Sequence, residues 1–212
     1  VTSRIVSENS YEETRDALSH DMSNYLHSQG FLPVIIPNNI DIAMDLVQDT
    51  EALIISGGND LIFKSENQDE SILTEKFILR NELEMKLLDY FLAEKLPIIG
   101  ICHGMQLINH FFGGSVKSLN DKSHVNNLHG LEVDSSKFLG DFLPHHCIVN
   151  SFHDNVISDV GNGLEVLARA EDNSIESVGN LDQKILGIMW HPERSNEEFD
   201  VFLFRKFVTR FQ

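Results

Sequence analysis

The apolar run Leu96-Pro97-Ile98-Ile99 breaks at Gly100 and passes through Ile101-Cys102-His103-Gly104 into Met105-Gln106-Leu107-Ile108-Asn109. Branched apolar residues read as a buried strand, whereas from Met105 the spacing is helical, with Gly113-Gly114 as the stop. Cys102 therefore falls on the corner between a strand and a helix. A side chain on such a corner is lifted out of the sheet, and the first free N–H groups of the helix surround it, favouring thiolate over thiol. Gly100 and Gly104, at i−2 and i+2, complete the pattern of a nucleophile elbow, where Cβ atoms would collide. A buried core cysteine at a Gly-punctuated turn is the competing reading, so the rest of the chain has to decide.

The segments before the corner alternate strand and helix. Val1–Val6 reads as a first strand, and Ser10 with Glu13 as a capping box for a helix presenting Leu18, Met22, Tyr25 and Leu26 until Gly30. Phe31–Ile36, bounded by Pro33 and Pro37, reads as a second strand and Ile40–Val47 as a short helix. Leu53-Ile54-Ile55 is a fully apolar third strand running into the tight turn Ser56-Gly57-Gly58-Asn59-Asp60. After the polar loop Lys64–Glu70, a helix is expected from about Thr74 to Glu94. This order implies right-handed crossovers and an α/β fold with a mainly parallel sheet, whose ligands sit beyond the carboxyl ends of the strands. Gly57-Gly58 and Cys102 both fall there.

The second half changes character. Segments around Leu131, Ile148, Leu164–Ala168, Ile175–Val178 and Ile185–Met189 read as strands with antiparallel connections, which makes the sheet mixed. The last runs directly into Trp190-His191-Pro192-Glu193, and Ser195 with Glu198 is expected to cap a final helix carrying Phe199, Phe202, Leu203 and Phe207. No linker or repeat divides the 212 residues, and at 42% hydrophobic they suffice for one core, so a single domain over 1–212 is expected.

A cysteine nucleophile needs a base, and the base needs a partner that fixes its tautomer. His191 follows a strand end as Cys102 does, and the extended backbone favoured before Pro192 could bring Glu193 to the imidazole. Acyl transfer also needs donors for a developing oxyanion. The backbone N–H groups of His103 and Gly58 are the candidates. A lone His-Pro-Glu would be a surface turn and a lone Gly-Gly an ordinary one; it is their combination with the elbow that carries the argument.

Taken together these residues resemble the class I glutamine amidotransferase superfamily, and within it the γ-glutamyl-γ-aminobutyrate hydrolase-like branch, also classed among cysteine peptidases. Ser56–Asp60 is similar to its oxyanion loop, Arg80 and Glu84 with Pro97–Gln106 to its nucleophile region, Val149-Asn150-Ser151-Phe152-His153 to its substrate-side strand and Trp190–Glu193 to its His-Glu pair. The resemblance implies a three-layer, flavodoxin-like α/β fold with a mixed, mainly parallel central sheet. It implies a Cys102-His191-Glu193 triad attacking a γ-glutamyl amide, with a thioester that water releases as glutamate. Gly58 and His103 would form the oxyanion hole. Gln106, with Gly57 beside it, would hold the glutamyl group, and Ser151, Phe152 and His153 would contact its α-amino and α-carboxylate ends. His103 stands where the branch more often has arginine, and Met189 replaces a frequent glutamine, which leaves the leaving amine open.

The opening segment, Ser3-Arg4 with Tyr11-Glu12 and Arg15-Asp16, is similar to compact branch members associated with bacterial surface-sugar biosynthesis. One activity there is γ-glutamyl-CDP-amidate hydrolysis in capsule assembly, which implies a phosphate- or nucleotide-bearing substrate. Arg4 and Arg15 would then supply a positive pocket; ion-paired surface arginines are the alternative. Hydrolysis of γ-glutamyl-γ-aminobutyrate, a glutaminase subunit passing ammonia to a synthetase, and a non-catalytic binding module are the competing functions.

Acidic residues number 33 against 16 basic, a net charge of −17. Such a field repels phosphate backbones, so a small-molecule substrate and no nucleic acid is expected. Two cysteines, Cys102 and Cys147, make no disulfide framework, which fits a cytoplasmic location; Cys147 lacks an elbow and reads as core. No run approaches the roughly 18 apolar residues of a membrane span, and no signal pattern leads the chain. It opens at Val1 inside an apparent strand, as though leading residues were trimmed. Six of the ten histidines fall between His124 and His191, but their spacings match no compact ligand motif. They are read as loop and rim histidines, with no metal and no cofactor expected. Homodimers in the superfamily leave a homodimer open.

Overall fold

In the computed structural model, which describes residues 1–7, 13–59, 61, 72–119, 122–195 and 197–211, a ribbon of β1 (Arg4–Ser7) and β2 (Thr14–Ala17) comes first, paired antiparallel. Helices α1 (His20–Ser28) and α2 (Ile40–Leu46), strand β3 (Leu53–Ile55), helix α3 (Ile72–Ala93), strand β4 (Ile98–Ile101) and helix α4 (His103–Phe111) follow. The second half holds β5 (Ser115–Ser118), β6 (Val125–Val133), β7 (His146–Phe152), β8 (Asn155–Asp159), β9 (Glu165–Ala170), β10 (Ile175–Asn180), β11 (Ile185–Ile188) and helix α5 (Leu203–Thr209).

Seven strands form one sheet in the order β3-β4-β11-β10-β9-β6-β7. The expected mixed sheet is present, but its expected parallel majority is corrected. Only β3–β4 and β4–β11 pair in parallel, and the pairings from β11 outward to β7 are antiparallel. Extended chain lengthens the parallel part: the Thr2 N–H donates to Ile54 O at 2.9 Å, and a parallel bridge joins Thr2 to Ile36. Within the central sheet the strands expected over 1–6 and 31–36 thus meet in one bridge, while residues 4–7 of the first form β1 of the ribbon. Pro33 and Pro37 carry no N–H for a ladder, and the chain after Ser3 leaves the sheet for the β1–β2 ribbon.

Alternation along the central strands builds three layers. Ile99 and Ile101 of β4, with Ile54, Leu186 and Ile188, face one cluster that takes in Met22 and Leu26 of α1 and Phe204 and Phe207 of α5. Ile98, with Leu53, Ile55 and Ile185, faces the other, against Leu83, Leu87 and Phe91 of α3 and Met105 and Ile108 of α4. The sheet is apolar on both faces here, and that accounts for the uninterrupted Ile-Ile-Gly-Ile run.

Several boundaries move. The Ser10 cap lies outside the described residues, as do Tyr11, Glu12, Asp60 and the loop 64–70; α1 is capped instead by Ser19, whose Oγ accepts from the Met22 N–H at 3.2 Å. Thr14–Ala17, expected within a helix, is strand β2. The final helix begins at Leu203 rather than after Ser195, leaving Phe202 46% exposed and burying Phe204. The polar β5–β8 pair has too little apolar alternation to be visible in sequence. Among the described residues no helix is long and apolar enough to cross a membrane.

Candidate active site

Cys102 sits at the junction of β4 and α4 with φ 51° and ψ −103°, its N–H donating to Ile188 O at 2.7 Å. A non-glycine residue in this region carries strain of order 1–3 kcal/mol. The flanking glycines make the corner sterically possible: a Cβ on Gly100 would lie 2.5 Å from Gly104 C, and one on Gly104 would run into Ile55 O. The elbow read from sequence is therefore the observed backbone.

His191 follows β11 on the neighbouring strand. Its backbone is clamped by Asn150, which donates Nδ2–H to His191 O and accepts the His191 N–H, both at 2.8 Å. The pre-proline residue has φ −115° and ψ 89°, and Pro192–Arg194 then forms a short 3-10 turn that folds Glu193 back. Glu193 Oε1 lies 2.7 Å from His191 Nδ1, and both side chains are nearly buried. A carboxylate accepts, so this bond places a proton on Nδ1 and makes Nε2 the nitrogen that can act as a base.

Gly57 reports how the two halves meet. A Cβ placed on it would lie 3.6 Å from Cys102 Cβ, 3.6 Å from His191 Nε2 and 2.8 Å from His191 Cε1. Cys102 and His191 thus converge on the glycine loop. Next to it Gly58 takes φ +108°, and the Arg4 side chain lies across it.

One expectation is corrected here. The helix end was expected to favour the thiolate, yet burial pushes the Cys102 thiol up to about 12; the His103 N–H acts the other way, and Glu176 and Glu193 add to the rise. Desolvation exceeds the partial charge of one helix terminus. Cys102 therefore rests as a thiol and needs a base in place.

Behind the loop lies a buried polar network. Arg80 donates to Glu84 Oε1 at 3.0 Å, Asn59 Oδ1 at 3.0 Å and Ser56 O at 2.8 Å. Glu84 also accepts from Thr2 Oγ at 2.7 Å and pairs through Oε2 with His103 Nε2 at 2.8 Å. Burial alone would raise the Glu84 carboxyl, but Arg80 and His103 outweigh it and hold it below its ordinary value. Burial and Arg80 lower His103, so its ring is neutral and donates Nε2–H to Glu84. Asn59 in turn holds both the N–H and the C=O of Ile5.

Cys102 opens onto a cavity of about 420 Å³ lined by Arg4, Gly58, Gln106, Phe152, His153 and Arg194 among others. The structure does not bring every expected residue to it. Ser151 is buried and donates to His124 O at 2.7 Å. Arg15 sits 2.6 Å from Glu13 and lines a separate cavity with Asp16 and Lys76. Sequence reading missed Arg194, whose guanidinium stacks 4.9 Å from the Phe152 ring centroid; it directly follows the His-Pro-Glu motif. It also missed Asn150 as a clamp, although Asn150 lies inside the quoted strand motif. The histidines are not all rim residues: His124, His129 and His153 are drawn inward around Glu176. Cys147 packs against the core, its thiol raised to about 12 by burial.

Comparison with known proteins identifies the family and the fold. The sequence pattern of the family described as Peptidase C26 matches residues 1–193. The chain is 33% identical over 201 residues to gamma-glutamyl-CDP-amidate hydrolase of Campylobacter jejuni subsp. jejuni serotype O:2, covering 92% of this chain and 90% of that one. It is 30% identical over 218 residues to YvdE of Lactococcus lactis subsp. lactis, assigned as glutamine amidotransferase-like, covering 95% and 90%. A structure from Thermoplasma acidophilum, assigned to a GMP synthase, shares the fold with a TM-score of 0.72 at 22% identity, covering 90% of this chain and 86% of that one.

Proposed function

Because this chain belongs to the peptidase C26 family and carries the α/β fold of class I glutamine amidotransferases, we propose that it hydrolyses the γ-glutamyl amide bond of a small, phosphate- or nucleotide-bearing substrate. The observation that carries the reading is the convergence of Cys102 and of a His191 oriented by Glu193 on the Gly57 loop, at the mouth of a cavity flanked by two arginines.

His191 Nε2 takes the Cys102 proton as sulfur attacks the γ-carbonyl carbon, because a thiol near 12 supplies little free thiolate at neutral pH. The carbonyl oxygen becomes an oxyanion held by the backbone N–H groups of Gly58 and His103. A donor so placed contributes about 3–4 kcal/mol to the transition state. The C–N bond breaks as His191 returns the proton to the leaving nitrogen, leaving a γ-glutamyl thioester. Water, deprotonated by His191, then displaces the sulfur, which recovers its proton from His191, and glutamate departs. One water is consumed per amide cleaved.

The leaving group is argued from charge. In a chain of net charge −17, Arg4 and Arg194 are cations lining the nucleophile's own cavity, and Phe152 offers a ring beside them. Phosphate oxygens and a base would be accommodated by that combination. Gln106 and His153 would bound the glutamyl end. The C. jejuni relative acts, by its name, on γ-glutamyl-CDP-amidate, and a role in capsule biosynthesis in the cytoplasm follows for this chain if the substrate is shared.

Glutamate release by the purified chain from γ-glutamyl-CDP-amidate, γ-glutamyl-γ-aminobutyrate and glutamine tests this. Preference for the nucleotide conjugate is expected. Preference for the plain amine overturns the substrate assignment, and release from none of the three overturns the hydrolase itself.

A further inference from the structure

His124, just before β6, His129 on β6, His153, just after β7, and Glu176 on β10 come together, and one ligand atom from each lies within 4.8 Å of the others. His124, His153 and Glu176 are at most 4% exposed. His124 Nδ1 and His153 Nε2 lie 3.6 and 3.5 Å from Glu176 Oε1, and His129 Nε2 lies 3.7 Å from Oε2. These separations are too long for hydrogen bonds; the two histidine–carboxylate bonds elsewhere in the site measure 2.7 and 2.8 Å. They are close to the roughly 3.3 Å between donor atoms of a tetrahedral shell with bonds near 2.0–2.1 Å.

The outer hydrogen bonds decide which nitrogen faces inward. His129 Nδ1 lies 3.1 Å from Gly130 O, and His153 Nδ1 lies 3.0 Å from Asn155 O. A carbonyl only accepts, so each Nδ1 carries a proton, and in the neutral ring each Nε2 turns a lone pair toward Glu176. His124 Nε2 lies 3.1 Å from the Asp172 carboxylate, which leaves its Nδ1 lone pair inward in the same way. His124 Nδ1, His129 Nε2, His153 Nε2 and Glu176 Oε2 are buried without a hydrogen-bond partner. Three neutral imidazoles presenting lone pairs to a fully buried carboxylate repel it unless a cation, proton or metal, lies between them.

We infer that His124, His129, His153 and Glu176 bind a divalent transition metal of the zinc class. Three imidazoles and one carboxylate are a borderline-soft set suited to tetrahedral Zn²⁺, and each histidine's outer partner is of the kind that orients a metal ligand. With four protein ligands the shell is closed, so the ion ties β6, β7 and β10 together rather than activating water. His153 also lines the proposed substrate cavity, with its Nδ1 bonded to Asn155 O and its Nε2 toward Glu176. The inference stands apart from the proposed chemistry, and its test reads metal rather than turnover.

The test uses the full chain, purified without a histidine tag and stripped with a chelator. Titration with Zn²⁺ is expected to saturate at about one ion per chain and to raise the melting temperature, and Co²⁺ is expected to give the visible absorption of a tetrahedral site. Glu176→Gln and His129→Gln are expected to abolish both signals. Asp172→Asn changes a half-exposed outer partner, so it leaves the fold intact and weakens Zn²⁺ about 10–100-fold. The inference is overturned if the stripped wild-type chain takes up neither ion at a hundredfold excess, or if all three variants bind like the wild type.

Discussion

Glu84 joins two buried groups from different elements, giving Oε1 to Arg80 at 3.0 Å and Oε2 to His103 at 2.8 Å. Arg80 reaches on to Ser56 and Asn59 of the glycine loop, and His103 supplies the first N–H of α4 beside the nucleophile. One carboxylate thus sets the distance between the two sides of the proposed oxyanion hole.

Glu84→Gln removes the charge and leaves the buried Arg80 uncompensated. A loss of about 3–5 kcal/mol of stability is expected, measured by denaturant unfolding, with kcat falling more than KM changes. Wild-type stability in this variant would mean that water reaches Arg80.

Gly57→Ala places a methyl 2.8 Å from His191 Cε1, and Glu193 holds that ring from the other side. The imidazole must shift from the nucleophile, so kcat/KM is expected to drop at least about 100-fold. The circular dichroism spectrum should match that of the wild type. Unchanged kinetics would place the base elsewhere.

Asp200 supplies a pH test away from the chemistry. Burial pushes its carboxyl up from 3.8 to about 6, against a hydrogen bond from Trp190 Nε1 at 3.0 Å. A raised folded-state value means that the contribution is full below about 4 and is lost as pH rises through about 6. Asp200→Asn keeps the acceptor for Trp190 without the charge. Relative to wild type it should therefore gain about 3 kcal/mol between pH 4 and pH 7, at 1.36 kcal/mol per pH unit. Thermal melts of both proteins at the two pH values check the sign.

Arg4→Met keeps the stem over Gly58 and removes the charge. For a nucleotide-bearing γ-glutamyl substrate KM should rise about 10-fold or more, while glutamine kinetics stay put. Equal effects on both would make Arg4 a support for the loop rather than a phosphate contact.

The strand–Cys–helix corner, the Gly-Gly loop and the His-Pro-Glu turn could be read from sequence because each depends on local geometry. Gly100 and Gly104 are required by close approach, and Pro192 biases the residue before it. Long-range partners were not legible. Nothing local distinguishes Ser19 from Ser10 as a cap, and the polar β1–β2 and β5–β8 ribbons lack apolar alternation. The thiol's rise to about 12 depends on desolvation by the folded surroundings, which sequence does not display. Glu176 left one trace: a lone acid within the apolar Ile175–Val178 strand, whose three histidine partners come from segments about 23 to 52 residues away.

The central claim is tested most directly by quenching the purified chain in acid during turnover of γ-glutamyl-CDP-amidate and mapping the acylated peptide by mass spectrometry. The account predicts one γ-glutamyl group on Cys102, absent from Cys102→Ser, which should release no glutamate. Turnover by Cys102→Ser, or an acyl group on Cys147 instead, would contradict it.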